Sequence, residues 1–159
     1  MKPPDIREFG GKQLLGLCRR MSIADDQTSE LWRAFRQKEP QISDRVRTES
    51  YSVRIYGAEY SFSEFDPNAA FDKWAAAEAS GPKNGGIEKL EIRPGLYAVF
   101  IHNGPASGAA ATFGYIFTSW LPTSKFDLDL RPHFEILPGG YDPFDLNAKE
   151  EIWVPVRRR

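Results

Sequence analysis

The pattern of strands and helices predicted for this chain occurs twice, with the second copy about 80 residues after the first. In the first copy, residues 12–23 read as a mostly apolar strand, a helical pattern follows, and residues 50–57 alternate as a strand does. In the second copy, "GLYAVFIHNG" reads as a strand, residues 106–122 as a helix, and "RPHFEILP" as another strand. A repeat of this kind restricts the fold to two similar units that share one sheet.

The last element of the first copy, residues 68–80, is ambiguous by itself. Its alanines favour a helix, whereas its aromatic residues suit a helix or a strand. Trp74 lies 79 residues before Trp153, which belongs to the alternating stretch "EEIWVPV" near the end of the chain. The repeat therefore predicts a strand around residues 70–78.

These patterns predict an α+β fold in a single domain of 159 residues. Two strand–helix–strand–strand units, over about residues 12–80 and 88–156, would pair into one antiparallel sheet with both helices on one face. The opposite face would then be open, and we expect a ligand cleft on it.

Composition excludes several classes of function. Lys and Arg total 21 against 22 Asp and Glu, so we expect no nucleic-acid partner. The two histidines, His102 and His133, do not have metal-ligand spacing, and we expect no metal or cofactor. No apolar run approaches ~18 residues, so we expect a cytoplasmic protein without a membrane partner. The sequence leaves the oligomeric state open between a monomer and a weak dimer.

The stretch "RPHFEILPGG" places a carboxylate inside a short apolar strand. Alternation sends Phe134 and Ile136 to one face, and Glu135 and Leu137 to the other. Because an unpaired buried carboxylate is costly, we expect the helices to cover Phe134 and Ile136. Glu135 would then point to the uncovered face.

The last strand follows the same alternation. Ile152, Val154 and Val156 share one face, which we expect the helices to cover. Trp153 would then lie on the open face beside Glu135. An acid and large aromatic rings on one concave surface suit a flat, lipophilic and often cationic molecule.

Other interpretations of these residues remain open. Glu135 could be a solvated residue on an open face, paired with Arg131 or Arg54. Trp74 and Trp153 could pack in the core. The helical stripe of aromatic residues at i, i+4 and i+7 could pack in the core or form the wall of a cleft; its members are Phe113, Phe117 and Trp120.

An ordered set of segments resembles the GyrI-like family, over about residues 12–156. The segments are "YGAEYSFSEFDPNAAFDKWAAAEAS", "GLYAVFIHNGPAS", "SWLPTSKFDLDLRPHFEIL" and "EEIWVPV". This family comprises the effector-binding domain fused to some AraC- and MerR-type transcription regulators, and also stand-alone proteins. No helix-turn-helix pattern precedes residue 12, so we expect a stand-alone member.

The resemblance implies a duplicated fold with a ligand cleft on its pseudo-twofold axis. Glu135 matches a glutamate that reaches into the cleft, and Trp153 matches an aromatic residue that lines it. The sequence departs from the family pattern at residues 124–126, where Ser-Lys-Phe replaces Ser-Gly-Tyr, and at Leu137, where an aromatic residue is frequent.

We therefore consider three functions. The first is a stand-alone binding module for lipophilic, aromatic or cationic molecules, with Glu135 as the anionic anchor. Its walls would come from Trp153, Trp74, Tyr56, Phe113, Phe117, Leu137 and Trp120.

The second function is an enzyme, because a subfamily resembling this chain hydrolyses the cyclopropane ring of DNA-alkylating natural products. Glu135 would position or deprotonate a water molecule, and the hydroxyl of Tyr115 or Tyr56 would stabilise the developing charge. The third function is a protein-binding modulator, which would need a large exposed apolar patch.

Overall fold

The computed structural model describes residues 2–159, and its strands form one nine-stranded sheet. The strands are β1 (Asp5–Phe9), β2 (Lys12–Met21), β3 (Ser50–Ile55), β4 (Phe71–Glu78), β5 (Glu88–Ile92), β6 (Gly95–Asn103), β7 (Phe126–Leu128), β8 (His133–Leu137) and β9 (Lys149–Arg158). The helices are α1 (Thr28–Lys38), α2 (Ala109–Tyr115) and α3 (Leu121–Thr123), and a π-helical turn (Ile116–Trp120) joins α2 to α3.

Helix α1 begins directly after a turn in which Asp26 contacts Thr28. The Asp26 carboxylate accepts hydrogen bonds from the backbone N–H and the hydroxyl of Thr28, at 3.0 and 2.5 Å. Leu31 and Phe35, one helical turn apart, are fully buried on the sheet. Pro40 follows the helix in a short 3₁₀ turn.

The sheet has the order β1-β6-β9-β8-β3-β4-β2-β5, and the short strand β7 also pairs with β9. The order β2, α1, β3, β4 is matched by β6, α2, β8, β9, and β3 pairs with β8 at the centre. Trp74 lies opposite Val53, and Trp153 lies opposite Phe134. The predicted α+β fold of two strand–helix–strand–strand units is therefore confirmed, and residues 71–78 form a strand.

Two bent strands close the sheet on itself. Strand β1 continues into β2 across Gly10 and Gly11, and β5 continues into β6 across Arg93 and Pro94. Since β1 pairs with β6 and β2 with β5 in the same register, the two pairs form one bent ladder. Gly11 has φ +87°, and a Cβ there would lie 3.1 Å from the Pro94 ring, so the bend favours glycine.

The face opposite the helices is a closed core, contrary to the open face expected from the sequence. One cluster of buried side chains, the inner core, takes residues from all the strands except β7. The ring of Phe9, from β1, lies 5.0 Å from that of Phe134 and 5.6 Å from that of Trp153. The curved ends of the sheet thus bury the face on which we expected a ligand.

The helix-covered face contains two separate clusters. Helix α1 packs over β2 and β4, whereas α2 and its π-helical turn pack over β6 and β9. The central strands β3 and β8 therefore lie between the two helical layers, which leaves a cleft on the same face as the helices.

Candidate functional site

The cleft has a polar floor and aromatic walls. Ser52 and Arg54 from β3, and His133 and Glu135 from β8, form the floor. The walls are Tyr56, at the end of β3, and Phe113 and Phe117, from α2 and its π-helical turn. The free volume is about 10 Å³, which is roughly the space for one water molecule.

The register of β8 and β9 determines which side chains reach the cleft. Glu135 lies opposite Ile152, which packs beneath the α2 layer, so Glu135 points to the helix-covered face. Trp153 lies opposite Phe134, and both rings point into the inner core. The prediction that Glu135 and Trp153 share an open face is therefore wrong, because the curved sheet, and not the helices, covers Phe134.

Glu135 is paired within the chain, as one interpretation of the sequence allowed. An Oε1 of Glu135 lies 3.6 Å from Nη2 of Arg54, and the Arg54 guanidinium lies 4.8 Å from the ring centre of Phe113. Burial is the largest influence and opposes the charge of Arg54, but Glu135, Tyr56 and Glu150 together outweigh it and leave the pKa of Arg54 above its ordinary value. The guanidinium is therefore charged and has an anion on one side and an aromatic face on another.

A second carboxyl group, that of Glu150 from β9, supports Glu135. The Tyr141 hydroxyl donates a hydrogen bond to Oε2 of Glu150 at 3.1 Å. Burial, and then the charge of Glu135, raise the pKa of Glu150 to about 8, so Glu150 is mostly protonated at neutral pH. Its Oε1 is buried and has no hydrogen-bond partner among residues 2–159, which is consistent with a carboxyl group that carries no charge.

Two further titratable groups lie beside Arg54 on the neighbouring strands. Lys73 of β4 is directly opposite Arg54, and its Nζ donates to the Thr28 hydroxyl at 3.0 Å. Burial and the Arg54 charge lower the pKa of Lys73 to about 8. His133 is opposite Arg54 on β8, and the same two causes lower the pKa of His133 to about 3, so its ring is neutral.

An aromatic cover closes the cleft. We call residues 56–70, which connect β3 to β4, the cover loop. The ring of Phe62 in this loop stacks 4.7 Å from that of Phe117 and 5.5 Å from that of His133. The Tyr56 ring lies 4.9 Å from that of Phe62. The loop thus places its own aromatic side chain against the walls of the cleft.

The structure brings together only part of the predicted set of site residues. Tyr56, Phe113, Phe117 and Glu135 surround the cleft. Leu137 shares the face of Glu135 but is absent from the lining. Trp153 is also among the residues that border the cleft, although its ring packs in the inner core. The remaining side chains pack elsewhere, which corrects the predictions for Trp74 (inner core) and for Tyr115 and Trp120 (cluster beneath α2).

Sequence reasoning missed four residues of the site, namely Phe62, Lys73, Tyr141 and Glu150. A signal for Lys73 and Glu150 was present, because each lies in a largely apolar strand. Alternation along that strand places each of them on the same face as residues that pack against the helices. Phe62 and Tyr141 lie in loops, where no periodicity indicates which way a side chain points.

Within residues 2–159, none of the helices has the length and apolar character needed to cross a membrane. The same residues contain no group of three or more His, Cys, Asp or Glu side chains arranged to hold a metal ion.

Comparison with known proteins gives one family and several similar structures. The model of the GyrI-like small molecule binding domain matches residues 2–157. No curated protein sequence matches the chain significantly. SAV2435 bound to tetraphenylphosphonium is 13% identical with a TM-score of 0.74, and the match covers 98% of this chain and 94% of that one.

Two further structures have the same fold. The EcmrR C-terminal domain is 15% identical with a TM-score of 0.74, over 98% of this chain and 97% of that one. A hydrolase encoded by lin2189 from Listeria innocua is 11% identical with a TM-score of 0.58, over 98% and 92% of the respective chains. At these identities the likeness concerns the fold alone.

Proposed function

Because the chain belongs to the GyrI-like family of small-molecule-binding domains, we propose that it binds lipophilic aromatic compounds in the cleft and sequesters them in the cytoplasm. One observation carries the proposal: a largely buried ion pair, Arg54–Glu135, is enclosed by aromatic side chains from β3, the cover loop and α2. Ligand sites commonly combine apolar walls with a few polar groups that orient the ligand.

A ligand enters this cleft by replacing the aromatic side chain that now fills it. The free volume of about 10 Å³ cannot hold an aromatic ring, so Phe62 has to move with the cover loop. A ligand ring can then stack on Phe117 and on the neutral ring of His133 in its place. SAV2435, which has the same fold, holds a lipophilic molecule with several aromatic rings.

Isothermal titration with naphthamide, an uncharged aromatic probe, tests the proposal. Phe117→Ala removes a wall of the cleft, and we expect it to weaken binding by about 1–2 kcal/mol through lost stacking and burial. Phe65→Ala is the matched control, because Phe65 lies in the same cover loop but is 77% exposed. The proposal fails if wild type does not bind the probe, or if the two variants bind it equally well.

A second candidate function is hydrolysis of a strained ring, and the paired carboxyl groups favour it. Glu135 pairs with the Arg54 guanidinium, whereas burial and the charge of Glu135 raise the pKa of Glu150 to about 8. The first can accept a proton from water while the second supplies one, so that a hydroxyl group adds to one carbon of a cyclopropane and a proton to the other. Tyr56, which lines the cleft, takes the role of hydroxyl donor that the sequence left open between Tyr56 and Tyr115.

Mass spectrometry of a cyclopropane-containing alkylator incubated with the protein tests this candidate. We expect a product heavier by one water molecule, and we expect Glu135→Gln or Glu150→Gln to abolish it. Glu151→Gln is the control, because Glu151 binds the indole N–H of Trp153 on the opposite face. Recovery of unchanged alkylator from the wild-type protein would leave binding as the sole function of the cleft.

A further inference from the structure

From the place of its guanidinium, we infer that Arg54 is the specificity-determining residue of the cleft and selects aromatic molecules that carry an acidic group over lipophilic cations. This inference rests on the proposed function, because it concerns which ligand the cleft takes.

Arg54 occupies the position that a ligand cation would need. Its guanidinium lies between the Glu135 carboxylate, at 3.6 Å, and the face of Phe113, at 4.8 Å. An anion and an aromatic face are the two features that attract a cationic ligand. A ligand cation can therefore reach Glu135 only by displacing the Arg54 guanidinium. The displaced guanidinium then loses its contacts with both the Glu135 carboxylate and the Phe113 ring.

The hydrogen-bonding capacity of the floor also favours an acceptor. Nε of Arg54 is buried and has no acceptor among residues 2–159, and the 3.6 Å separation from Glu135 exceeds the hydrogen-bond range. Glu135, by contrast, already faces the positive charge of Arg54. The floor thus has an unused N–H donor on Arg54, and a ligand carboxylate or sulfonate supplies acceptors with the geometry that a guanidinium binds in pairs.

The charges around Arg54 also favour an anionic ligand over a cationic one. Within the cleft, Arg54 and Glu135 cancel, and Glu150 and His133 are neutral at pH 7. Lys73 lies directly opposite Arg54 and adds a second cation. Its Nζ donates to the Thr28 hydroxyl, which in turn donates to the Asp26 carboxylate, and Asp26 is not among the residues that line the cleft. No uncompensated negative charge remains on the floor to attract a cationic ligand.

Three probes with the same ring system separate these preferences. Naphthoate carries an anion, naphthamide is neutral, and naphthylmethylammonium carries a cation. For the wild type we expect naphthoate to bind at least about tenfold more tightly than naphthylmethylammonium, as a charge-assisted contact with Arg54 implies. In Arg54→Met, which keeps length but removes charge, we expect the order of these two probes to reverse, because Glu135 becomes free to pair with the cation.

A double variant controls for the unpaired charge that Arg54→Met leaves. In Arg54→Met with Glu135→Gln, both charges are removed, and we expect the two charged probes to bind within about threefold of each other. The inference is overturned if the wild type prefers naphthylmethylammonium, or if the preference is the same with and without Arg54. Loss of naphthamide binding by the wild type would instead overturn the proposed function itself, so the two failures are distinct.

Discussion

A glutamate is tolerated in the apolar strand β8 because of the groups around it. Arg54 supplies a positive charge 3.6 Å away, and the nearby Glu150 carboxyl is mostly protonated at neutral pH, so it adds little repulsion. Arg54, Glu135 and Glu150 are distant from one another in the sequence. The register of β3, β8 and β9 brings them together. The cleft is thus a property of strand pairing as much as of residue type.

Replacing Trp153 tests whether its ring belongs to the inner core or to the wall of the cleft. Its ring stacks 5.3 Å from that of Phe134 and lies 5.6 Å from that of Phe9, inside the inner core. We expect Trp153→Ala to reduce the free energy of unfolding by about 3–5 kcal/mol in urea denaturation. Trp32→Ala, at a half-buried position on α1, should cost less. A Trp153→Ala protein with wild-type stability and weakened naphthamide binding would place this ring in the cleft wall.

Glu150 makes stability depend on pH in a direction that can be predicted. Its pKa is raised from 4.5 to about 8 in the folded protein, so between these values the folded state binds more protons than the unfolded state. Stability therefore falls as the pH rises through this window, and Glu150→Gln removes the effect. We expect the wild type to lose about 3 kcal/mol relative to Glu150→Gln between pH 5 and pH 8, measured by urea denaturation.

The exposed Glu30 of α1 provides the control for this titration. The pH profile of Glu30→Gln should follow that of the wild type. If Glu150→Gln follows it as well, the carboxyl of Glu150 is not held in its protonated form by the fold.

At the scale of elements, the sequence predicted the secondary structure well and the faces of the central strands poorly. Repetition resolved the ambiguous segment, which forms β4. The face of Glu135 was wrong because both faces of β8 are covered, one by the α2 layer and one by the curved sheet. Alternation shows which residues share a face, but not which face a helix covers.

Close packing of β2 on β4 gives a prediction for two glycines. A Cβ at Gly16 would lie 2.1 Å from the carbonyl oxygen of Ala75, whereas a Cβ at Gly114 in α2 would have no atom within 4 Å. We expect Gly16→Ala to cost about 2–4 kcal/mol through disruption of the strand pair. Gly114→Ala should instead stabilise the protein by up to about 1 kcal/mol, because alanine favours helix. Thermal melts that shift in the same direction for both variants would contradict this account of the packing.

At the scale of the whole molecule, the duplicated sheet closes because β1 and β5 continue into β2 and β6. Hydrophobic alternation within a strand does not encode such a long-range bend. Closure buries one face of the sheet completely and leaves the helix-covered face as the place for a ligand. The same closure explains why Trp74 and Trp153 belong to the inner core.

The location of the ligand is the central claim, and amide chemical-shift mapping during a titration with naphthamide tests it most directly. We expect the largest shift changes at Arg54, Phe117, Glu135 and the cover loop, since these surround the cleft and the cover has to move. The molecule also has a wider groove of about 700 Å³, bordered by Arg36, Arg47 and Gly139. Shift changes concentrated around that groove, with the cleft and the cover loop unaffected, would contradict the account.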